Sequence, residues 1–571
     1  MKKRTFWVLT VGVAALAVGA AGIGLVVLLL RPGAGTPFGG RSYLDLAVEA
    51  LPERPPTELG LPFERPAPSL RTFVASLDRA EHDPDVSGVV LRVGFLTDAG
   101  WARLQELRDA VLRFRRSGKP VYAHIESCGN AEYYLASAAD KIYAVPTAII
   151  GVIGLASEVT FFKGGLDKLG VEAQFEGVGE YKNAPNQFTE TGFTAPHREQ
   201  TEALLDSLDR QFVEALARGR GRTPEQVREW IDGGPYDARD AQRLGLVDEL
   251  LYRDQVEARL QGARRVTAVS YARGAEGSFG GFGRPRIALV YAQGEIMPGR
   301  SVSGPFGGST AGSDTVSAAL REAREDDGVR AVVLRVDSPG GSGSASDVIW
   351  REVRETRRHK PVIVSMGDLA ASGGYYIAMA GDVIVAQPGT ITGSIGVFGG
   401  KFSLRGVYDK LGLSKETVAR GRHATFFSEY RPWDDSERAQ MQALMAAFYR
   451  DFVGRVAEHR SKTYEQADRL ARGRVWSGTE ALEHGLVDRL GGLETAVEVA
   501  KEKAGIPADQ DVTLVPLPAS KGLFDLLFES QEGAEAAAAA LLPRDARALL
   551  HWATSATAGP IARLPFDLRV R

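Results

Sequence analysis

The sequence predicts two tandem copies of one α/β unit behind a single transmembrane helix, and three observations carry that expectation. The first 31 residues join a basic flank to a long uncharged apolar run. Segments on either side of about residue 280 repeat one another at a nearly constant offset. Within each copy, short apolar runs alternate with amphipathic ones, the pattern of buried parallel strands covered by helices.

The N-terminal element comes first. Lys2, Lys3 and Arg4 precede an uncharged stretch from Thr5 to Leu30, which ends at Arg31 and Pro32. As a helix rising about 1.5 Å per residue, it is long enough to cross a hydrocarbon core of about 30 Å. The run finishes Leu28-Leu29-Leu30-Arg31 with no small-residue cleavage site beyond it, so residues 1–31 are expected to be an uncleaved anchor. The basic flank stays in the cytoplasm, which places the rest of the chain on the outer side of the membrane.

Pro/Gly-rich stretches then punctuate the chain. Residues 32–70 are expected to be a linker holding a first strand, and the run from Gly274 to Arg286 separates the repeats. The first repeat is expected over 71–270, a linker over 271–285 and the second repeat over 286–515. Residues 516–571 have no counterpart in the first copy, and the Ala537-Ala538-Ala539-Ala540 run within them reads as helix.

The duplication itself rests on ordered matches. Val89-Val90-Leu91-Arg92-Val93 recurs as Val332-Val333-Leu334-Arg335-Val336, and Lys119-Pro120-Val121 as Lys360-Pro361-Val362. Tyr133-Tyr134 recurs as Tyr375-Tyr376, Asp167-Lys168-Leu169-Gly170 as Asp409-Lys410-Leu411-Gly412, and Gly245-Leu246-Val247-Asp248 as Gly485-Leu486-Val487-Asp488. The offsets run from 240 to 243. Apolar runs such as Ala331 to Val336 read as strands; Ser346 to Arg358, Pro196 to Arg218 and Ser436 to Arg460 read as helices.

Composition narrows the function. The 69 basic and 72 acidic side chains nearly cancel, which provides no electrostatic footprint for nucleic acid. The single cysteine, Cys128, excludes an internal disulfide and reads as a small buried hydrophobe. No cluster of His, Cys and carboxylates has ligand spacing, so neither metal nor cofactor is expected.

Two turns in the second copy are suited to chemistry. Asp337-Ser338-Pro339-Gly340-Gly341 leaves backbone N–H groups bare of side chains, as an oxyanion hole requires; a tight turn without a ligand would look the same. Ala370-Ala371-Ser372-Gly373-Gly374-Tyr375 follows a strand and opens a helix. Its small residues let a substrate backbone approach Ser372, with the Gly373 N–H beside it, although a serine N-cap has the same pattern. A third Gly-rich segment, Thr392-Gly393-Ser394-Ile395-Gly396, lies in the same copy.

The run from Ser365 to Gly399 and the Ser338-Pro339-Gly340-Gly341 turn resemble bacterial signal peptide peptidase A (protease IV) in its long, duplicated form, over about residues 40–515. That resemblance implies a fold shared with the Clp protease proteolytic subunit and crotonases, and a Ser/Lys dyad. The family's Gly-x-Tyr-Lys context is matched by Gly179-Glu180-Tyr181-Lys182. It implies Ser372 as nucleophile, Lys182 as general base and then acid, Ser394 as the group that positions the lysine, and Gly340, Gly341 and Gly373 around the oxyanion. It further implies peptide substrates, among them cleaved signal peptides, a homotetramer, and a single-pass protein of the bacterial inner membrane facing the periplasm.

The repeat offers a check on that assignment. Shifting by 242 aligns Lys182 with Ala424 and Ser372 with Asn130, so each copy holds one half of a dyad. A lysine acts as base only when neutral, which requires burial away from acids, and Glu180 must therefore point elsewhere. His423, beside the vacated position, is the second candidate base. A crotonase-like enzyme acting on acyl thioesters and a non-catalytic peptide-binding membrane scaffold are the competing readings.

Overall fold

The apolar runs of the first copy assemble into a six-stranded, wholly parallel sheet. Its order is Glu249–Leu250, Lys141–Ala144, Val121–Ile125, Val86–Val93, Ser42–Val48 and Arg264–Thr267. The second copy repeats that order strand for strand: Arg489–Leu490, Val383–Ala386, Val362–Ala371, Val329–Ser338, Arg286–Gln293 and Thr513–Leu517, again all parallel. Strands buried on both faces need near-continuous apolar sequence, which is why Val332, Val333 and Leu334 are all fully buried. The duplicated α/β architecture expected from the repeats is thus present.

These features come from a computed structural model that describes residues 40–54, 68–96, 99–260, 262–276, 283–302, 309–518 and the backbone of 561–563. The anchor expected over residues 1–31 and the helix expected around Ala537 lie outside the described residues. Among the described residues, no helix is long and apolar enough to cross a membrane.

Helices cover the sheets where the 3.6-residue pattern puts them. Leu70–His82 opens with a capping box between Ser69 and Thr72, and Asp435–His459 with one between Asp434 and Glu437. Gly343–Arg357, Ala195–Arg220 and Asp435–His459 match the predicted helices to within a few residues. Two elements differ from expectation. Ala268–Glu276 is one helix that runs across the boundary expected at residue 270 into the linker, anchored by Tyr271, which is buried and donates to Asp83 Oδ2 at 2.7 Å. Val362–Ala371 runs on to the residue before Ser372, held by pairing of Ala370 with Ser338 and of Ala371 with Gly393.

A third sheet joins the copies. Its order is Thr310–Gly312, Glu295–Met297, Gly340–Ser342, Ile561–Arg563, Val397–Ser403 and Glu172–Val178. The last pair is antiparallel over seven residues, from Val397 opposite Val178 to Ser403 opposite Glu172, and it links the second copy to the first.

Charge locks the seam from behind. Arg335, in the middle of an apolar strand and 1% exposed, donates to Glu53 at 2.6 and 3.0 Å, to Glu106 at 3.0 Å and to the Ser365 hydroxyl at 2.8 Å. Arg103 of the first copy pairs with Asp368, four residues before Ser372, and its amide donates to the same carboxylate at 2.9 Å. A buried guanidinium is tolerable only with such partners.

Candidate active site

Ser372 sits where a buried strand turns sharply into the short helix Gly373–Ala378. Its φ of 56° and ψ of −112° lie in a region that non-glycine residues occupy only when the surroundings enforce it. The enforcement is visible: the Ser372 amide donates to Gly393 O at 2.8 Å, and its carbonyl accepts from Tyr376 N at 2.8 Å. The strained turn aims the hydroxyl out of the helix start, the geometry of a nucleophile on a strand-to-helix elbow.

Lys182 arrives from the first copy. The strand Glu172–Val178 runs beside Val397–Ser403 and then turns at Gly179, whose φ is 105°. Lys182 N closes that turn on Gly179 O at 3.1 Å, while Tyr181 N donates to Arg472 O at 2.9 Å. Arg474 lies over the Tyr181 ring, 4.9 Å from its centroid. The same antiparallel pair that joins the copies therefore sets the lysine beside Ser394, three residues ahead of the strand Val397–Ser403.

Lys182 Nζ stands within hydrogen-bond distance of Ser372 Oγ at 2.7 Å, of Ser394 Oγ at 2.9 Å and of Ser394 O at 2.9 Å; as a neutral amine it can donate to the two Ser394 oxygens and keep its lone pair for the Ser372 hydroxyl. It is 5% exposed. Burial alone pushes its pKa well below the ordinary lysine value, with no acid offsetting it. Glu180 faces away and lies 3.5 Å from Arg472. Ser394 also has positive φ, 48°, and its amide donates to Arg474 O at 2.7 Å, so its hydroxyl is presented to the lysine by a fixed turn.

The glycine pair packs against the helix start. A Cβ on Gly373 would stand 3.2 Å from Gly341 N and 3.1 Å from Gly340 Cα. The Gly340 amide donates to Ser338 Oγ at 3.1 Å, so the two glycines are not equivalent. Ile561–Arg563 pairs antiparallel with Gly340–Ser342 on one side and, at Ile561, with Phe398 on the other, an extended segment laid beside the Gly-Gly turn.

Other candidates sit elsewhere. His423 Nε2 shares a hydrogen bond with Ser436 Oγ at 3.1 Å. Cys128 is buried, and burial pushes its thiol up to about 12, an inert group. Asn130, at the position of Ser372 in the first copy, accepts from the amides of Ile153 and Gly154 at 3.0 and 3.2 Å: there the side chain ties a loop down.

Sequence reasoning missed Arg472-Gly473-Arg474. Gly473 has φ of 80°, and a Cβ there would lie 2.4 Å from Lys182 N, so only glycine lets this turn back the lysine. The signal was a glycine between two arginines with no counterpart motif, too common to single out. Arg335 was legible in principle, since a cation inside an apolar strand must find a buried acid.

Comparison with known proteins identifies the family. The sequence profile of peptidase family S49 matches residues 113–267 and again 354–507, one match in each copy. The chain is 36% identical to the chloroplastic serine protease SPPA of Arabidopsis thaliana over 469 residues, covering 79% of this chain and 68% of that one. It is 34% identical to Protease 4 of Salmonella typhi over 455 residues, 76% of this chain and 72% of the relative. A putative signal peptide peptidase SppA of Enterococcus faecium is 34% identical over 186 residues, 32% of this chain and 54% of that protein. With both copies matched and the similarity running through both, the chain belongs to peptidase family S49 in its duplicated form and is a serine protease.

Proposed function

We propose that this protein is a membrane-anchored endopeptidase that cleaves remnant signal peptides and other short apolar or unfolded peptides, using Ser372 and Lys182. The observation that carries the reading is a buried, acid-free lysine amine 2.7 Å from a serine hydroxyl on a strained turn. The first repeat, residues 71–270, supplies the lysine and the second, 286–515, the serine.

The chemistry follows from the geometry. Neutral Lys182 takes the Ser372 proton as Oγ attacks the scissile carbonyl, and the resulting ammonium returns a proton to the leaving amine. Water, deprotonated by the same amine, then hydrolyses the acyl-enzyme. Ser394 keeps Nζ aligned through both steps. The amides of Gly373 and Gly341 serve the oxyanion, since that of Gly340 is engaged by Ser338. Extended substrate adds as a strand between Gly340–Ser342 and Val397–Ser403, where Ile561–Arg563 lies.

The resemblance to signal peptide peptidase A supports the substrate class, a Clp protease/crotonase-like fold, the anchor over residues 1–31, a periplasm-facing position at the bacterial inner membrane and a homotetramer. A fluorophosphonate probe tests the reading. Labelling of Ser372 that is lost in Lys182→Ala, together with hydrolysis of a signal-peptide substrate, supports it; no labelling, with turnover of acyl thioesters or with binding alone, favours the crotonase-like or scaffold reading.

A further inference from the structure

The turn Arg472-Gly473-Arg474 runs between Lys182 and Ser394, and its backbone bonds in both directions. Arg472 O accepts from Tyr181 N at 2.9 Å, Gly473 N donates to Ile395 O at 2.8 Å and Arg474 O accepts from Ser394 N at 2.7 Å. The bonds of Arg474 O are main-chain bonds that any side chain permits. Its own side chain does something else. The guanidinium lies 4.9 Å from the centroid of the Tyr181 ring and 4.7 Å from that of Trp476, and Nη1 donates to Glu199 Oε1 at 3.0 Å. The Tyr181 hydroxyl donates to the same carboxylate at 3.1 and 3.2 Å, which closes the group.

The two rings belong to the two halves of the site. Tyr181 immediately precedes Lys182. Trp476 sits in the strand Val475–Ser477 opposite Thr392 of Ile391–Gly393, and Thr392 in turn pairs with Ala370 of the strand that ends beside Ser372. The indole is fixed, since it is buried and Nε1 donates to Leu470 O at 3.0 Å. The first copy makes the same turn without the arginine. Tyr236 donates to Trp230 O at 2.8 Å across the same six residues as Trp476 to Leu470, which aligns the two turns at an offset of 240. Gly234 then stands where Arg474 stands, and a Cβ there would lie 2.3 Å from Val152 O; His423 stands where Tyr181 stands. The copy with Asn130 in place of Ser372 folds its turn with no side chain at this position, so the fold of the turn does not require one.

We propose that Arg474 is a positioning residue for peptide hydrolysis, its guanidinium riveting Tyr181, and with it the turn of Lys182, to the sheet that carries Ser372. This rests on the Ser372–Lys182 reading above and adds a residue that acts through that pair. The side chain bonds to Glu199 rather than to either reacting group, so it works by holding the amine within reach of the hydroxyl and the turn closed around it. The other charges on the elements around Lys182 are engaged outside the site: Glu180 and Asp468 with Arg472, and Glu199 with Arg474. Opening the turn therefore acts on the amine by admitting water, which raises its pKa toward the ordinary lysine value, because burial is what lowers it.

The test uses the full-length chain in detergent with a signal-peptide substrate, and the rate of Ser372 labelling by a fluorophosphonate as a second readout. Arg474→Ala removes the side chain and leaves the carbonyl that Ser394 uses. It should lower kcat by about 10-fold or more with KM within about 2-fold of wild type, and slow labelling in parallel. The acid limb of kcat/KM should shift to higher pH while the far-UV spectrum stays that of wild type. Tyr181→Leu takes away the facing ring and should do the same, and the double variant should be no worse than the worse single, since each removes the same contact. Arg198→Ala, which removes a cation stacked on Phe193 from the same helix as Glu199, should behave as wild type. A kcat near that of wild type in Arg474→Ala or Tyr181→Leu, losses that multiply in the double variant, or lost activity with an unmoved acid limb overturns the rivet. Lys182→Ala separates the two readings. If it abolishes labelling while Arg474→Ala keeps the wild-type rate, only the rivet falls; if Lys182→Ala labels at the wild-type rate, the dyad falls and the rivet with it.

Discussion

The base proposed here, Lys182, carries a cost to the fold. Its folded pKa lies well below the unfolded value, so between the two the unfolded chain holds a proton that the folded chain lacks. Stability from this group therefore rises with pH across that window. Lys182→Met should gain stability over wild type near neutrality, and denaturant midpoints should show the gain shrinking as pH climbs toward about 10.4; a difference independent of pH contradicts a buried neutral lysine. Activity has the matching dependence: kcat/KM should fall as pH drops through the folded pKa of Lys182, because an ammonium cannot accept the Ser372 proton. Ser372→Ala and Lys182→Ala should each lower peptide hydrolysis by about 10² to 10⁴-fold or more, and Ser394→Ala less than either. His423→Ala should be silent in the same assay, given its bond to Ser436.

At the scale of elements, the site is a meeting of turns. Gly473→Ala places a Cβ into the Lys182 backbone and into a φ that alanine resists, so kcat should drop by at least 10-fold while the far-UV spectrum stays that of wild type. Retained kcat would mean that the Arg472–Arg474 turn does not position the lysine. Ile561–Arg563 occupies the strand position proposed for substrate, so removing residues 519–571 should lower KM for short peptides and leave kcat near its original value. Strands, helices and the Ser372 turn were legible because apolar periodicity and small-residue runs are local signals. The turn behind Lys182 was not, because its requirement for glycine comes from a backbone almost 300 positions away in sequence.

At the scale of the molecule, two copies are held in one register by a buried ionic cluster. Arg335→Met strips Glu53 and Glu106 of their shared cation and should destabilise the protein by about 3–5 kcal/mol in denaturant titrations. Lys182 and Ser372 pair within one chain, so co-expressed Ser372→Ala and Lys182→Ala variants should form mixed oligomers that stay inactive; recovery of a substantial fraction of wild-type activity would show exchange of half-sites between chains. Removing residues 1–40 should leave a peptide-cleaving protein, since both half-sites lie beyond Pro68.

The sequence by itself determined the duplication, the α/β character of each copy and the division of a serine and a lysine between them, because strand periodicity and repeated motifs are written in consecutive residues. Tertiary structure decided the rest. Which copy's edge meets which, the 2.7 Å approach of Lys182 to Ser372 and the lowered pKa of the amine all depend on the Val397–Ser403 and Glu172–Val178 pairing. Burial and hydrogen-bond geometry are properties of surfaces brought together from about 190 residues apart, and no local pattern encodes the distance between them.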